Sequence, residues 1–335
     1  MDKWFLCLAI FSFVSYKPLM YEFNARIVSY NNYIIIKING PDKKQIVGIR
    51  NSVGSYSIPD IIVINGKKQS SNSDYYYSLN KTENIVKLEW NDKLINCNYI
   101  FFDCSAITEI DLYNFDSSLV TQTYYMFYGC TLLTSLNLTN FITSNVTLMG
   151  FMFSYCESLT SLNLSNFDTS QVESMYSMFD DCFSLTLLDL SNFNTAQVES
   201  MEEMFSNCWS LTSLNLSNFY TNNLNNIDKM FYNCSKLEYL DIKNFIFEEI
   251  ESYSDIFNLT PKNMVICNEG SQIQQIINDL NECKIISCSI DWKQDKKEIN
   301  SETGECIKSS EDNNGKSYEL KNTTKILVIY LKVQK

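Results

Sequence analysis

The sequence contains no histidine, and glycine and proline are scarce, with nine and four residues. The absence of histidine excludes catalysis by Ser-His-Asp or Cys-His groups and any zinc site built on imidazole ligands. The few glycines form neither of the phosphate-binding motifs GxGxxG and GxxxxGK[ST]. We therefore expect a protein that is not an enzyme and that holds no cofactor and no metal.

Basic residues are also in deficit, since 26 Lys and Arg stand against 39 Asp and Glu and give a net charge of −13. Nucleic acids and anionic membrane surfaces repel such a chain, so we expect neither as a partner. Apolar residues make up 45% of the 335 positions, which is enough to build a substantial core.

The N-terminus begins with an apolar stretch, Trp4–Val14, that is too short to span a bilayer and has the length of a signal-peptide core. We expect a signal peptide at 1–15 and a secreted or cell-surface location, with an N-terminal strand or buried helix as the alternative. The apolar run Ile326–Leu331 is also far too short for a transmembrane helix, so we expect no integral membrane span.

Between these ends, a pattern recurs with a period of 26 residues. The cysteines that carry this period form what we call the cysteine ladder: Cys104, Cys130, Cys156, Cys182, Cys208 and Cys234. Asn-Phe and Met-Phe pairs keep the same step, as at Asn166-Phe167 and Met178-Phe179. Such a period is typical of a solenoid, whose units can bury their apolar faces only against one another.

Each unit contains two apolar segments. Leu162 and Leu164 lie on one side of a strand with the L-x-x-L-x-L spacing of a leucine-rich repeat. Val172, Met175 and the apolar residues after them have a spacing that predicts a short helix or 3₁₀ turn. The sequence therefore predicts an α/β-type solenoid over 94–260, a leucine-rich repeat with a parallel β-sheet on one face and about six turns of 26 residues.

The repeats also resemble a known family. The segments 152–175 (MFSYCESLTSLNLSNFDTSQVESM) and 178–201 (MFDDCFSLTLLDLSNFNTAQVESM) are similar to the BspA-like leucine-rich repeat surface proteins of bacteria and parasitic protists. The flanking regions look similar to those of protist members. The resemblance implies a secreted or cell-surface location and an adhesive role toward host proteins or other cells.

The N-terminal flank, 16–93, contains three strand-like runs separated by polar turns, at 33–38, 60–64 and 84–90. We expect a small β cap domain that covers the exposed edge of the solenoid sheet. An independent ligand-binding module is the alternative.

The C-terminal flank, 261–290, predicts a second, cysteine-containing cap. Its helix is expected over 271–281, beginning with a capping box of Ser271 and Gln274. Residues 291–335 are charged and polar, and we expect them to be loosely ordered.

The remaining cysteines suggest disulfides near the C-terminus, as expected of a secreted protein. Three pairings are open to the four cysteines concerned: Cys267, Cys283, Cys288 and Cys306. Cys97 would then be unpaired. In the cysteine ladder the parallel Cβ directions disfavour bridges, so we expect buried, reduced thiols rather than disulfides.

Candidate binding residues lie on the outward side of the predicted strands, because concave solenoid faces commonly bind ligands. They are Glu109, Asp111, Tyr113, Asn137, Asn163, Asp189, Asn215, Tyr239 and Asp241. Phe183 and Trp209 follow successive ladder cysteines and form a second candidate contact site. For the strand residues the alternative is a plain solvated face, and for Phe183 and Trp209 it is burial under neighbouring turns.

Two further groups of residues lie in the predicted turns. Aromatic residues form either an exposed contact surface or a layer buried under neighbouring turns: Tyr124, Tyr125, Tyr128, Phe151, Tyr155 and Tyr176. Acidic residues, among them Asp180 and Asp181, are expected to be solvated. Asn80 and Asn322 are candidate glycosylation sites because their sequons lie in loop-like stretches.

These features favour adhesion or protein recognition through the solenoid surface, with no catalysis. The expected partner is a host, matrix or other cell-surface protein, or a carbohydrate. A self-associating structural coat protein, assembled through a sheet edge or 326–331, is the first alternative. An intracellular repeat scaffold is the second.

Overall fold

The computed structural model describes residues 32–48, 58–70, 75–268, 270–280, 282–299 and 306–307. The predicted signal peptide at 1–15, the apolar run 326–331 and Asn322 lie outside these residues. No helix in the described part of the chain is long and apolar enough to cross a membrane.

An antiparallel sheet forms from the first part of the chain. Its region contains β1 (Tyr33–Asn39), β2 (Asp42–Gln45), β3 (Ile61–Ile64), β4 (Lys67–Lys68), β5 (Tyr76–Leu79) and β6 (Glu83–Glu89). Ile34, Ile36 and Ile38 alternate with less buried residues in β1 and are fully buried, so the strand predicted at 33–38 is confirmed. The strands predicted at 60–64 and 84–90 are confirmed as β3 and β6.

The solenoid strands follow as β7 (Ile107–Asp111), β8 (Ser135–Asn137), β9 (Ser161–Leu162), β10 (Leu187–Leu188), β11 (Ser213–Asn215), β12 (Tyr239–Asp241), β13 (Val265–Cys267) and β14 (Ile285–Ile286). Parallel pairing joins β7 to β8, β9 to β10, and β11 through β14 in order. β1 pairs antiparallel with β7, so the N-terminal sheet continues into the solenoid sheet. The chain therefore forms a β-solenoid of about six turns with a mostly parallel sheet.

A second column of parallel pairs follows the Asn-Phe segments. Its six bridges are Asn96↔Gln122, Gln122↔Leu148, Leu148↔Ser174, Ser174↔Ser200, Ser200↔Asn226 and Asn226↔Ser252. After each bridge the chain makes consecutive hydrogen-bonded turns. In one unit the Met178 N–H donates to the Met175 carbonyl at 3.2 Å, and the Phe179 N–H donates to the Met204 carbonyl of the next turn at 3.0 Å.

The helix or 3₁₀ turn predicted after Val172 is wrong, and with it the α/β character of the solenoid. Residues 176–181 form turns, because two positions of each unit adopt left-handed backbone angles that a right-handed helix cannot contain. Ser177 has φ 49° and Asp181 has φ 57°. Apolar residues three or four positions apart can line one side of successive turns as well as one side of a helix.

The core consists of columns of identical side chains from successive turns. Six stacked ring pairs join Phe101, Phe127, Phe153, Phe179, Phe205, Phe231 and Phe257, with centroids 5.6 to 6.0 Å apart. A second column of rings, with neighbouring centroids 6.3 to 6.5 Å apart, contains Phe115, Phe141, Phe167, Phe193 and Phe219. Offset stacking of this kind adds to the burial of apolar area in holding successive turns together.

The cysteine ladder is buried and contains no disulfide, so the expectation of free thiols is confirmed. The Cys182 Sγ donates a hydrogen bond to the Phe153 carbonyl of the preceding turn at 3.2 Å, and four other ladder thiols do the same. Burial raises the pKa of each ladder thiol well above its ordinary value. Cys97 is also free and buried.

The C-terminal region contains α1 (Ser271–Asp279), which confirms the helix predicted there. The predicted capping box is wrong, because Gly270 occupies the N-cap and Ser271 is already helical. Cys267 and Cys288 form a disulfide, one of the expected pairs, and Cys283 is disulfide-bonded as well.

The polar region that follows also contains short elements. They are α2 (Trp292–Asp295), β15 (Glu298–Ile299) and β16 (Cys306–Ile307), of which the last two pair antiparallel. The domain boundaries stay predictions.

Candidate binding surface

The outward side chains of β7 to β12, and of the residues just after these strands, form one polar surface that we call the strand face. Register pairing places equivalent positions of adjacent turns side by side, as in Asp111↔Asn137 and Ser213↔Tyr239. The inward neighbours Leu214 and Leu240 are buried. All nine predicted face residues, from Glu109 to Asp241, therefore lie on this surface.

The middle column of the strand face has a structural role that the sequence pattern does not reveal. In each strand the Asp or Asn side chain accepts a hydrogen bond from the backbone N–H two residues later, at 2.9 to 3.1 Å. The residues concerned are Asp111, Asn137, Asn163, Asp189, Asn215 and Asp241. This is the Asx-turn geometry, which closes the turn after the strand. The column therefore fixes the backbone as well as presenting polar atoms.

The ends of the strand face are partly covered by the flanking regions. Lys37 of β1 forms a 2.8 Å ion pair with Glu109. The ring of Trp292 in α2 stacks on Tyr239 with centroids 5.1 Å apart. Two large side chains remain strongly exposed, Tyr113 at 54% and Leu187 at 67%.

Leu187 lies on the outward side of the strands, as its position in the repeat predicts, but it was not named among the candidate binding residues. It occupies the position that serine holds in three other turns, at 135, 161 and 213. The signal was in the sequence, since a lone leucine in a column of serines on an outward face does not contribute to the core.

Phe183 and Trp209 lie together, as their successive positions predict. Their rings stack with centroids 4.3 Å apart and planes inclined by 13°. Trp209 is 42% exposed, and Phe183 is half-buried. The pair is a surface aromatic feature on the turn side, separate from the strand face.

The predicted aromatic residues of the turns form a continuous cluster, and the structure adds Tyr99 and Phe102 to it. Tyr125 stacks on Phe151 at 4.3 Å. Most of these rings are half-buried. Burial raises the pKa of the Tyr124 hydroxyl, so this side chain is uncharged at neutral pH.

Asp180 and Asp181 are buried, so the expectation that they are solvated is wrong. Left-handed geometry at Asp181 turns these side chains under the neighbouring turn, where they lie near Ser206 and Asn207. Burial first, and the charge of Asp181 second, raise the pKa of Asp180 to about 7. In the described part of the chain, no group of three or more Cys, Asp or Glu side chains could hold a metal ion.

Asn80 is exposed and lies directly after β5. Asp111 and Asp189 lie three strands apart, roughly 14 Å at the usual strand spacing, which is too far for a pair of catalytic carboxylates.

Comparison with known proteins gives one match. The family model described as "Mycoplasma protein of unknown function, DUF285" matches residues 95–188 and 187–266, which contain the solenoid turns. No curated protein and no solved structure matches the chain.

Proposed function

The chain belongs to the family described as Mycoplasma protein of unknown function, DUF285, and from that premise we propose that it is an exported protein that recognises other proteins through the strand face. In this proposal the solenoid is a BspA-like leucine-rich repeat with 26-residue turns, capped by 16–93 and 261–290. The protein is secreted or held at the cell surface, acts in adhesion and performs no catalysis.

The observation that carries the proposal is the combination of a fixed polar surface with two exposed apolar side chains. The Asx turns hold the strand ends, so little conformational entropy would be lost when a partner binds. Tyr113 and Leu187 project from this surface and offer apolar contact area within a polar surround. That composition is typical of interfaces between proteins that also exist separately.

A self-associating coat is less well supported. End-to-end stacking needs free carbonyls at the first turn, but the Gly48 N–H donates to the Ile100 carbonyl at 2.7 Å and the Gln45 side chain to the Phe102 carbonyl at 3.0 Å. The N-terminal region therefore occupies the edge that a second copy would need.

The test compares two double variants for binding to a panel of immobilised extracellular-matrix proteins. Tyr113→Ser with Leu187→Ser removes the two apolar contacts without touching the Asx turns. Tyr220→Ser with Leu132→Ser is the matched control, because these side chains are similarly exposed, at 56% and 47%, but lie outside the strand face.

We expect the strand-face variant to weaken binding at least about tenfold, corresponding to roughly 1.4 kcal/mol, and the control to bind like the original chain. Equal binding by both variants would place the contact elsewhere. Thermal unfolding of each variant checks that the solenoid remains folded.

A further inference from the structure

The last turn of the solenoid leaves a row of backbone donors unused. In every earlier turn, alternate N–H groups donate to carbonyls of the following turn. Ile227, Lys229 and Phe231, for example, donate to the carbonyls of residues 252, 254 and 256 at 2.8, 2.8 and 3.2 Å. The equivalent N–H groups one turn later belong to Tyr253, Asp255 and Phe257, and no acceptor meets them among the described residues.

The residues that carry these donors line a groove. The strand side of the solenoid continues past this turn through β13 and β14, but on the turn side α1 follows instead of another turn. Between residues 251–258 and α1 lies an open space of about 660 Å³, which we call the C-terminal groove. It occupies the position that a further turn would fill.

The opposite wall of the groove offers an acceptor. Gln272 of α1 lines the groove, and its Oε1 is buried without a hydrogen-bond partner in the described structure. A buried acceptor without a donor is costly, so a ligand that supplies an N–H there gains free energy. Donors on one wall and an acceptor on the other match the two sides of a peptide backbone.

The charge of the groove selects among peptides. Glu251, Asp255 and Glu282 line it, Glu282 being paired with Lys284, and no lysine or arginine among the described residues does. Ile276 and Leu280 add an apolar strip on the helix wall, with Leu280 38% exposed. The groove therefore favours a segment with basic side chains and at least one apolar side chain.

We propose that the C-terminal groove binds a basic peptide segment of a partner protein through its backbone, in the place of the next solenoid turn. The peptide accepts hydrogen bonds from Tyr253, Asp255 and Phe257 and donates one to Gln272. This site is independent of the strand face and adds a second interaction surface to the molecule.

The solenoid itself supplies a suitable probe. Residues 225–236 carry two lysines and one aspartate, and their carbonyls at 226, 228 and 230 accept hydrogen bonds from the preceding turn. A synthetic peptide of this segment, with Cys234→Ser to prevent disulfide formation, presents the same alternate carbonyls. A peptide with both lysines replaced by glutamate tests the role of charge, and a scrambled peptide tests register.

Two variants of the full chain test the contacts. Tyr253→Pro removes one donor and breaks no existing hydrogen bond, and its matched control, Tyr253→Ala, keeps the donor. Gln272→Leu removes the acceptor. Its control is Gln274→Leu on the same helix, because Gln274 lies outside the groove and bonds to Asn278.

Fluorescence anisotropy with the labelled peptide should show binding. Tyr253→Pro should bind about fivefold more weakly than Tyr253→Ala, and Gln272→Leu about fivefold more weakly than the original chain, the loss expected for one hydrogen bond. Gln274→Leu should change affinity less than about twofold, because Gln274 makes no hydrogen bond to the peptide. Hydrogen exchange should slow at the amides of Tyr253, Asp255 and Phe257 when the peptide is bound.

Several results would overturn the proposal: no binding at millimolar peptide, equal binding by the scrambled or glutamate peptide, or protection of other amides only. The strand-face variant with Tyr113→Ser and Leu187→Ser should bind this peptide normally. Failure of the strand-face proposal and failure of this one are therefore distinguishable.

Discussion

Replacing Phe179 by alanine should be among the most damaging single changes in the solenoid. Its ring is fully buried and stacks on Phe153 at 5.6 Å and on Phe205 at 5.7 Å. Truncating a buried phenylalanine typically costs 3 to 5 kcal/mol, and because both stacked neighbours lose a partner we expect about 4 kcal/mol. Urea unfolding followed by circular dichroism measures the loss.

The end of the same column provides the control. Phe257 is as well buried, at 2% exposure, but stacks on only one ring of the column, Phe231 at 6.0 Å. Phe257→Ala should therefore cost about 1 kcal/mol less than Phe179→Ala, the value of one aromatic pair. Equal losses of unfolding free energy in the two variants, or a loss below about 2 kcal/mol in Phe179→Ala, would refute the view that stacking between turns stabilises the fold.

Three further predictions concern the interior. Cys182 should resist iodoacetamide in the folded chain and react only on unfolding, as followed by mass spectrometry; rapid labelling in native buffer would count against a closed ladder. In the folded chain the pKa of Asp180 is about 7, whereas its usual value is 3.8. Protonation of this carboxyl therefore favours the folded state, and its contribution to the free energy of unfolding is complete below about pH 4 and is lost as the pH rises through 7. Asp180→Asn should therefore flatten the fall in Tm between pH 4 and 8, and an unchanged slope would contradict the assignment. Asn192→Ala should cost about 1 to 3 kcal/mol, because its side chain donates to the carbonyls of Leu164 at 3.0 Å and Phe167 at 2.7 Å; a change below about 0.5 kcal/mol would show that water replaces it.

The stacked core was predictable from the sequence, because a constant period leaves only one way to superpose equivalent residues. The six-cysteine spacing and the Asn-Phe and Met-Phe pairs are sufficient to identify the columns. The strands of the N-terminal sheet followed from alternation, as in Ile34, Ile36 and Ile38. The burial of these columns then follows from stacking.

The turn side was not predictable from apolar spacing alone. Left-handed residues recur at two positions of each unit. One position mostly holds residue types that tolerate this backbone, as at Asp103, Gly129, Asp181, Asn207 and Asn233, but it also holds Tyr155 and Leu259. That column was the available signal against a helix. The other column holds tyrosine, phenylalanine, serine, glutamate, lysine and a single aspartate, a mixture that gives no such signal.

The strand face was located from the sequence, but the roles of its residues were not. From the sequence, Asp111 and its equivalents are predicted only as binding residues, because a strand pattern shows which side a residue faces and not what it bonds to. Their hydrogen bonds to the turn depend on backbone geometry after the strand. The pairing of Tyr239 with Trp292 joins segments far apart in the chain, which a repeat pattern cannot indicate.

The proposed function requires that the solenoid works outside the cell. It is tested most directly by treating intact source cells with protease and searching the released peptides, the medium and the lysate for residues 104–257 by mass spectrometry. We predict these peptides in the released fraction or the medium. Their presence in the lysate alone would contradict the account and favour an intracellular scaffold.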